Sequence, residues 1–323
     1  MSAGAGNCGS ILMNTVAVVL QKPEQIVLTQ LDMSPPGEED VVVEVEWSGI
    51  SSGTERLLWS GQMPPFPGMG YPLVPGYESV GRVSIAGPKS GRSVGDHVFV
   101  PGARCFGDVK GLFGGAASRV VVPGNRVVSV DEELGEKGVL LALAATAYHA
   151  IQGGIHPDLI VGHGVLGRLL ARITVALGRA APLVWERNRD RHDGAEGYRV
   201  ATPDEDPQNR FHAIYDVSGD GRLLDTLIGR LAPRGEIVLA GFYTDPLSFA
   251  FPPAFMKEAR IRIAAEWQPG DLAGVKQLIA DRRLSLDGLI THRHDAADAV
   301  VAYRTAFTDP HCLKMILDWR MSS

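Results

Sequence analysis

The sequence predicts an α/β protein made of two units, a β-rich one and a doubly wound parallel sheet. Three observations carry this. From Thr15 to Val130 short apolar runs are punctuated by Gly and Pro, from Asp158 onward strand-like and helix-like runs alternate, and the glycines Gly162, Gly164 and Gly167 link the first of those strands to the first helix. A chain of 323 residues, 45% of them apolar, is long enough for two domains of ~150 residues each, with a core in both.

In the first unit the runs TVAVVL, VVVEVEWSGIS, SVGRVSIAG, HVFVPG and SRVVVPGNRVVSV read as strands of a mostly antiparallel arrangement with Gly and Pro at the turns. Between Glu132 and Gln152 the composition changes to Ala and Leu at helical density, until Gly153 and Gly154 stop the run. DLIVGHG, VLGRLLARITVALG and PLVWER then form a strand–helix–strand unit. AIYDVSG, a helix DTLIGRLAPRG, the strand EIVLAGF, IRIAAEW and a helix from Pro269 to Asp281 continue it. A helix AADAVVAYRTAF and a strand LKMILDW close the sequence. That strand lacks a parallel partner nearby and is expected to rejoin the first unit, which divides the chain into 13–145, 146–288 and 289–323.

Charge and cysteine usage narrow the function. The 37 acids exceed the 31 bases and no Lys/Arg run forms a basic stripe, so no nucleic-acid partner is expected. The three cysteines, Cys8, Cys105 and Cys312, are far apart, which excludes a disulfide scaffold and a four-cysteine zinc knot and points to the cytoplasm. No apolar stretch reaches the ~18 residues of a spanning helix, so no integral membrane segment is expected. The opening MSAGAGNCGSIL has neither the basic start nor the apolar centre of a signal peptide, and Met13 is an alternative start.

Gly162, Gly164 and Gly167 spell G-x-G-x-x-G between an apolar run, Leu159 to Val161, and a helix. The first glycine allows the tight turn, the second lets the backbone approach a pyrophosphate, and the third lets helix and strand pack closely. The helix N-terminus then offers unpaired N–H groups to the phosphates. Glu186 lies 19 residues past Gly167 at the end of PLVWER, where an acid holds the adenosine ribose 2′-hydroxyl. A carboxylate there repels a 2′-phosphate, so NAD is the expected cofactor, although Arg187 beside it is a group that serves such a phosphate. His163, Val165 and Leu166 share the turn, and with Ser218 and Gly241 they complete the expected cofactor contacts. The plainer reading is a structural glycine turn with a solvated strand-end acid.

The order of a β-rich unit, T-A-Y-H-A on a helix, a dinucleotide fingerprint and a closing segment beginning LITHR resembles the medium-chain dehydrogenase/reductases, from about Thr15 to Trp319. The resemblance implies a GroES-like catalytic domain interrupted by a Rossmann domain, with the active site in the cleft between them. The blocks VEWSGISSGTERLLWSGQMPPFPGMGYPLVPGYESVG, VPGARCFG, YDVSGD, FAFPPAFMKEARIRIAAEW and CLKMILDWR are more specific. They are similar to the branch of that superfamily that acts on chlorophyllides. This likeness implies oxidation of the 1-hydroxyethyl group at C3 of a (bacterio)chlorophyllide to an acetyl group, with NAD as hydride acceptor.

Zinc-dependent members of the superfamily hold their metal with a Cys after G-I, a His in G-H-E and a Cys shortly before T-A-Y. This chain has Ser51, Tyr77 and Ala142 there, a set that cannot build the N/S site zinc prefers. No metal is expected. A side chain must then take the alcohol proton. Tyr77 is the first candidate, with Glu78 orienting it or relaying the proton, and Ser51, Glu55 and Arg56 at the same cleft by analogy. A tyrosine near its usual pKa of ~10 needs a cation beside it for this work, and the plain alternative is that Tyr77 fills vacated metal space.

Thr146 matches the residue that packs on the nicotinamide in relatives. His149 and His97 read as structural. The loop Leu57 to Tyr71 carries Trp59, Met63, Phe66, Met69 and Tyr71 among prolines and glycines, and is expected to form an apolar lid over a flat macrocycle, with Arg56 beside it. FAFPPAFM at Phe249 to Met256 either lines that cleft or forms a homodimer contact. Two other functions share this plan: a zinc-free quinone or enoyl reductase, and a tetrapyrrole carrier without turnover.

Overall fold

The computed structural model describes residues 13–65, 67–208 and 210–321. The described residues form three sheets. Phe66 lies outside the described residues.

The strand Asp40–Ile50 organises the first unit. It is flanked along one side by Ser79–Ala86 and along the other by Arg119–Pro123 over its first half and Met315–Asp318 over its last residues. A strand covered this fully reads as a continuous apolar run rather than an alternating one, which is why Val41, Val42 and Val43 are all buried. His97–Val100 and Val128–Ser129 extend this seven-stranded sheet beyond Ser79–Ala86, and His292–Asp295 lies at its far edge. A second sheet of four strands contains the hairpin Met13–Lys22 and Gln25–Met33. The run QIVLTQLDM was not among the expected strands; its side chains are mostly half-exposed, so it lacks the dense apolar signal of its neighbours.

The third sheet is parallel throughout. Its order is Arg199–Ala201, Leu183–Trp185, Leu159–Val161, Phe211–Asp216, Leu231–Leu239, Arg260–Ile263. Counted along the chain that is 3-2-1-4-5-6, the doubly wound dinucleotide-binding order, whose ligand crevice lies outside the carboxyl ends of the strands where the order reverses. The reversal falls between Leu159–Val161 and Phe211–Asp216. The helix Leu141–Gln152 packs on Val165–Ala176 and Pro269–Ala280, and its buried face is built from Ala142, Ala144, Ala145, Ala147 and Ala150, whose short side chains permit close approach.

The closing strand Met315–Asp318 pairs antiparallel with Asp40–Ile50, Met315 opposite Ile50. Two local expectations differ from the structure. The helix expected over DTLIGRLAPRG stops at Arg230, and Leu231 begins a strand, because Pro233 has no N–H for a helix to use. The expected lid loop begins inside a helix, Thr54–Ser60, closed by Gly61 at φ 71°.

Candidate active site

The parallel sheet delivers the glycine turn to the crevice. After Leu159–Val161 the chain turns through Gly162 at φ 105°, and Gly164 caps the helix Val165–Ala176 without a side-chain cap. The first N–H groups of that helix are therefore left for a ligand. A Cβ on Gly167 would sit 1.9 Å from the Gly162 carbonyl oxygen, so strand and helix approach as closely as the motif requires. Glu186 follows Leu183–Trp185 and turns back to this turn: its carboxylate accepts the N–H groups of His163 at 3.1 Å and Asn188 at 2.8 Å. A nicotinamide dinucleotide fits this cradle.

His163 points the other way. Its ring is buried, with Nδ1 2.6 Å from the Arg191 carbonyl and Nε2 2.7 Å from the Tyr198 hydroxyl. Burial, assisted by the Arg168 charge, pushes its pKa down to about 4. The neutral ring thus donates to Arg191 and accepts from Tyr198, which anchors the loop after Glu186 to the glycine turn.

Facing the turn across the cleft are the residues at the end of Asp40–Ile50. Tyr77 donates its hydroxyl to Ser51 Oγ at 2.8 Å, with its ring edge-on to Phe113. Burial and the neighbouring Glu78 carboxylate hold the Tyr77 phenol well above its ordinary value, so it stays protonated. Glu78 is fully buried and forms an ion pair with Lys314, Oε2 to Nζ 2.6 Å, while the ammonium also reaches the Ile50 carbonyl at 3.3 Å. A Cβ on Gly49 would stand 2.3 Å from that Glu78 oxygen, so glycine makes the room. Glu55 is 1% exposed and accepts the Ser51 N–H at 3.0 Å and the Tyr303 hydroxyl at 2.7 Å. Burial raises its pKa to about 7, against the lowering effect of those two hydrogen bonds; the Glu78 charge adds to the rise and Lys314 opposes it.

Ser51, Tyr77 and the glycine turn line one cleft of about 1440 Å³, larger than the ~300–1,000 Å³ of ordinary small-molecule sites. Its apolar wall includes Met63, Pro64, Pro65, Phe113, Leu143 and Trp267.

Comparison with known proteins places this geometry. The family described as Alcohol dehydrogenase GroES-like domain matches residues 37–132. The 2-desacetyl-2-hydroxyethyl bacteriochlorophyllide A dehydrogenase of Rhodobacter capsulatus is 58% identical over 311 residues, covering 95% of this chain and 99% of that protein. Its namesake from Cereibacter sphaeroides is 56% identical over 318 residues, covering 96% and 100%. The chain belongs to this bacteriochlorophyllide dehydrogenase family of the medium-chain dehydrogenase/reductases. Among solved structures, 2R,3R-butanediol dehydrogenase from Bacillus subtilis superposes with a TM-score of 0.82 at 19% identity, covering 95% of this chain and 99% of that one. An Escherichia coli alcohol dehydrogenase complexed with NADH gives 0.81 at 20% identity, covering 94% and 99%. These two likenesses speak for the fold.

Within this dehydrogenase family member, the residues expected at the site fall into two groups. Ser51, Met63, Tyr77, Thr146, Gly164, Val165, Leu166, Gly167 and Gly241 line the cleft. Thr146 also donates to the Ala142 carbonyl at 2.9 Å. Others stand apart. Trp59 packs on Phe307 at 5.6 Å, and Tyr71 donates to the Leu58 carbonyl within an apolar cluster; both spend their rings on the lobe's interior, contrary to the expected lid. Arg56, Arg187 and Ser218 are exposed and outside the cleft lining. The stretch Phe249 to Met256 lines a separate apolar groove, which corrects the idea that it lines the cleft.

Zinc does not fit. Among the described residues no group of three or more His, Cys, Asp or Glu is placed to hold a metal ion; where Ser51 and Tyr77 meet, the donors are two hydroxyls, and the buried Glu78 next to Tyr77 is paired with Lys314. Sequence reasoning missed Lys314 and Tyr303, which reach Glu78 and Glu55 from 236 and 248 residues away.

Proposed function

We infer that this chain oxidises the C3 1-hydroxyethyl group of a (bacterio)chlorophyllide to an acetyl group in bacteriochlorophyll a biosynthesis, using a nicotinamide dinucleotide. The observation that carries this is near-full-length identity above one half to two dehydrogenases of that name. A large, mostly apolar cleft that joins a dinucleotide turn to a pair of hydroxyls supports it. Incubated with NAD and the hydroxyethyl chlorin, the protein should generate reduced nicotinamide absorbance and a pigment shift together. Hydride delivery to a C=C acceptor from NADPH, with no turnover of the alcohol, would overturn the reading.

NAD is the form we assign. Glu186 brings a carboxylate to the glycine turn, and a carboxylate at the end of this strand favours the ribose 2′-hydroxyl over a 2′-phosphate. Glu186→Ser should therefore narrow the preference for NAD over NADP by at least about tenfold, since a lost like-charge contact of ~1.4 kcal/mol corresponds to that factor. Equal kcat/KM with both cofactors in the unaltered protein sinks the assignment.

The bound nicotinamide supplies the hydride acceptor. The chain must handle the proton that leaves the alcohol oxygen as the C–O bond becomes a carbonyl. In our proposal the substrate hydroxyl docks against Ser51 and Tyr77, with Tyr77 as a neutral donor that fixes the Ser51 hydroxyl. Ser51 Oγ takes the alcohol proton and gives its own to the Glu55 carboxylate, which the Ser51 N–H holds beside that residue. Glu78 belongs to the ion pair and orients Tyr77 only through its charge. Thr146 and Gly241 flank the cofactor and Met63 meets the macrocycle.

The domain division 13–145, 146–288 and 289–323 belongs to the same proposal, supported by the antiparallel pairing of Met315–Asp318 with Asp40–Ile50. No helix among the described residues is long and apolar enough to cross a membrane. For the edge of Arg260–Ile263, which exposes Ile261 and Ile263 and lies near exposed Phe255 and Met256, we assign a second copy of the chain, because an edge strand with no outer partner among the described residues is a template for its own kind. Light scattering that finds only monomer at micromolar concentration refutes the dimer.

A further inference from the structure

The cleft holds a cation that the proton path above leaves unused. Lys314 precedes the strand Met315–Asp318 and lines the cleft together with Ser51 and Tyr77. Its side chain is 2% exposed. An ammonium has three donors; one goes to Glu78 Oε2 and a second to the Ile50 carbonyl. Burying an ion pair gives little net stability over an apolar pair of the same shape, since desolvation consumes most of the attraction. An ammonium kept in a dry wall of a reaction cleft is therefore better explained by what it does to a substrate. Glu78 supplies the counter-charge that lets it be there.

We propose that Lys314 is a catalytic residue for the alcohol oxidation, donating its third N–H to the substrate oxygen and taking the electrophile's part that a metal plays elsewhere in the superfamily. The proposal rests on the oxidation reading above. As the O–H bond surrenders its proton toward Ser51 and Glu55, the electron pair left on oxygen becomes the second C–O bond while the carbinol C–H pair leaves as hydride. Negative charge on that oxygen is largest between the two events. A fixed donor in a low-dielectric wall acts most strongly there, because it needs no reorganisation to meet the charge. Tyr77 cannot replace it, since its hydroxyl is given to Ser51.

The test uses two variants. Glu78→Gln with Lys314→Met removes both charges together and keeps the shapes, so the fold has no orphan ion. It should bind NAD, by fluorescence titration, and the chlorin, by absorbance, within a few-fold of the parent, while kcat drops by the ~10²–10³ lost with one oxyanion donor. In Lys314→Ala, small primary amines should restore turnover, and the restored rate should follow the acidity of the ammonium used; rescue indifferent to acidity marks a merely structural cation. Parent-like kcat in the double variant overturns the proposal, and so does a raised KM for NAD at unchanged kcat, which would make Lys314 a cofactor contact. Absence of chlorin turnover in the parent protein instead rejects the function on which the proposal rests.

Discussion

Glu55→Gln should lower turnover of the hydroxyethyl chlorin by ~10²–10⁴, the usual worth of a general base, and leave NAD affinity unchanged, because Glu55 lies outside the cofactor turn. The parent rate should rise with pH to a plateau with a midpoint near 7, the value to which burial raises this carboxyl, and the variant should lose that limb. Stability carries the same signature with a definite sign. Across the window from the ordinary value of 4.5 up to about 7, the folded chain keeps a proton that the unfolded chain has released. The Glu55 contribution to stability therefore falls as pH rises through that window, against the rise that the lowered His163 pKa contributes, and Glu55→Gln should remove the Glu55 part so that stability rises more steeply with pH than in the parent. Tyr303→Phe removes a hydrogen bond that lowers the Glu55 pKa, so its activity midpoint should move to higher pH. A parent-like profile in both variants would end the case for Glu55 and return attention to Ser51 alone.

Lys314→Met on its own should destabilise the protein by about 3–5 kcal/mol, since it strands a fully buried carboxylate. Adding Glu78→Gln should recover most of the loss, because both charges then leave together. Urea denaturation midpoints of the two variants decide it. A single variant within about 1 kcal/mol of the parent would mean that water reaches Glu78 as it reaches a surface pair.

What the sequence disclosed followed the range of the interaction. The glycine turn is a local device, complete within Gly162 to Gly167, and the strands beside it are dense apolar runs, so both were legible without knowledge of any distant partner. The parallel sheet followed from strand–helix alternation. Ser51 and Tyr77 were legible as positions by resemblance, but their hydrogen bond joins residues 26 apart. Lys314 gave no signal: a lone lysine before MILDW looks like a solvated strand end until the strand is seen against Asp40–Ile50. Trp59 and Tyr71 misled for the opposite reason, since an aromatic in a proline-rich loop looks available for a ligand whether its ring faces a cleft or Phe307. QIVLTQLDM escaped because a half-exposed edge strand needs few apolar residues.

The antiparallel docking of Met315–Asp318 on Asp40–Ile50 also sets a timetable for biosynthesis. At ~5–20 residues per second, a ribosome that has made Glu78 needs on the order of 10–50 s more before Lys314 exists, 236 residues later. Through that interval the nascent β-rich unit has an acid destined for its interior and no cation to accompany it, and its central strand lacks one neighbour. The chain must therefore carry an unfinished edge while the whole nucleotide-binding sheet is translated, so the active site of this enzyme is completed only when its last strand docks.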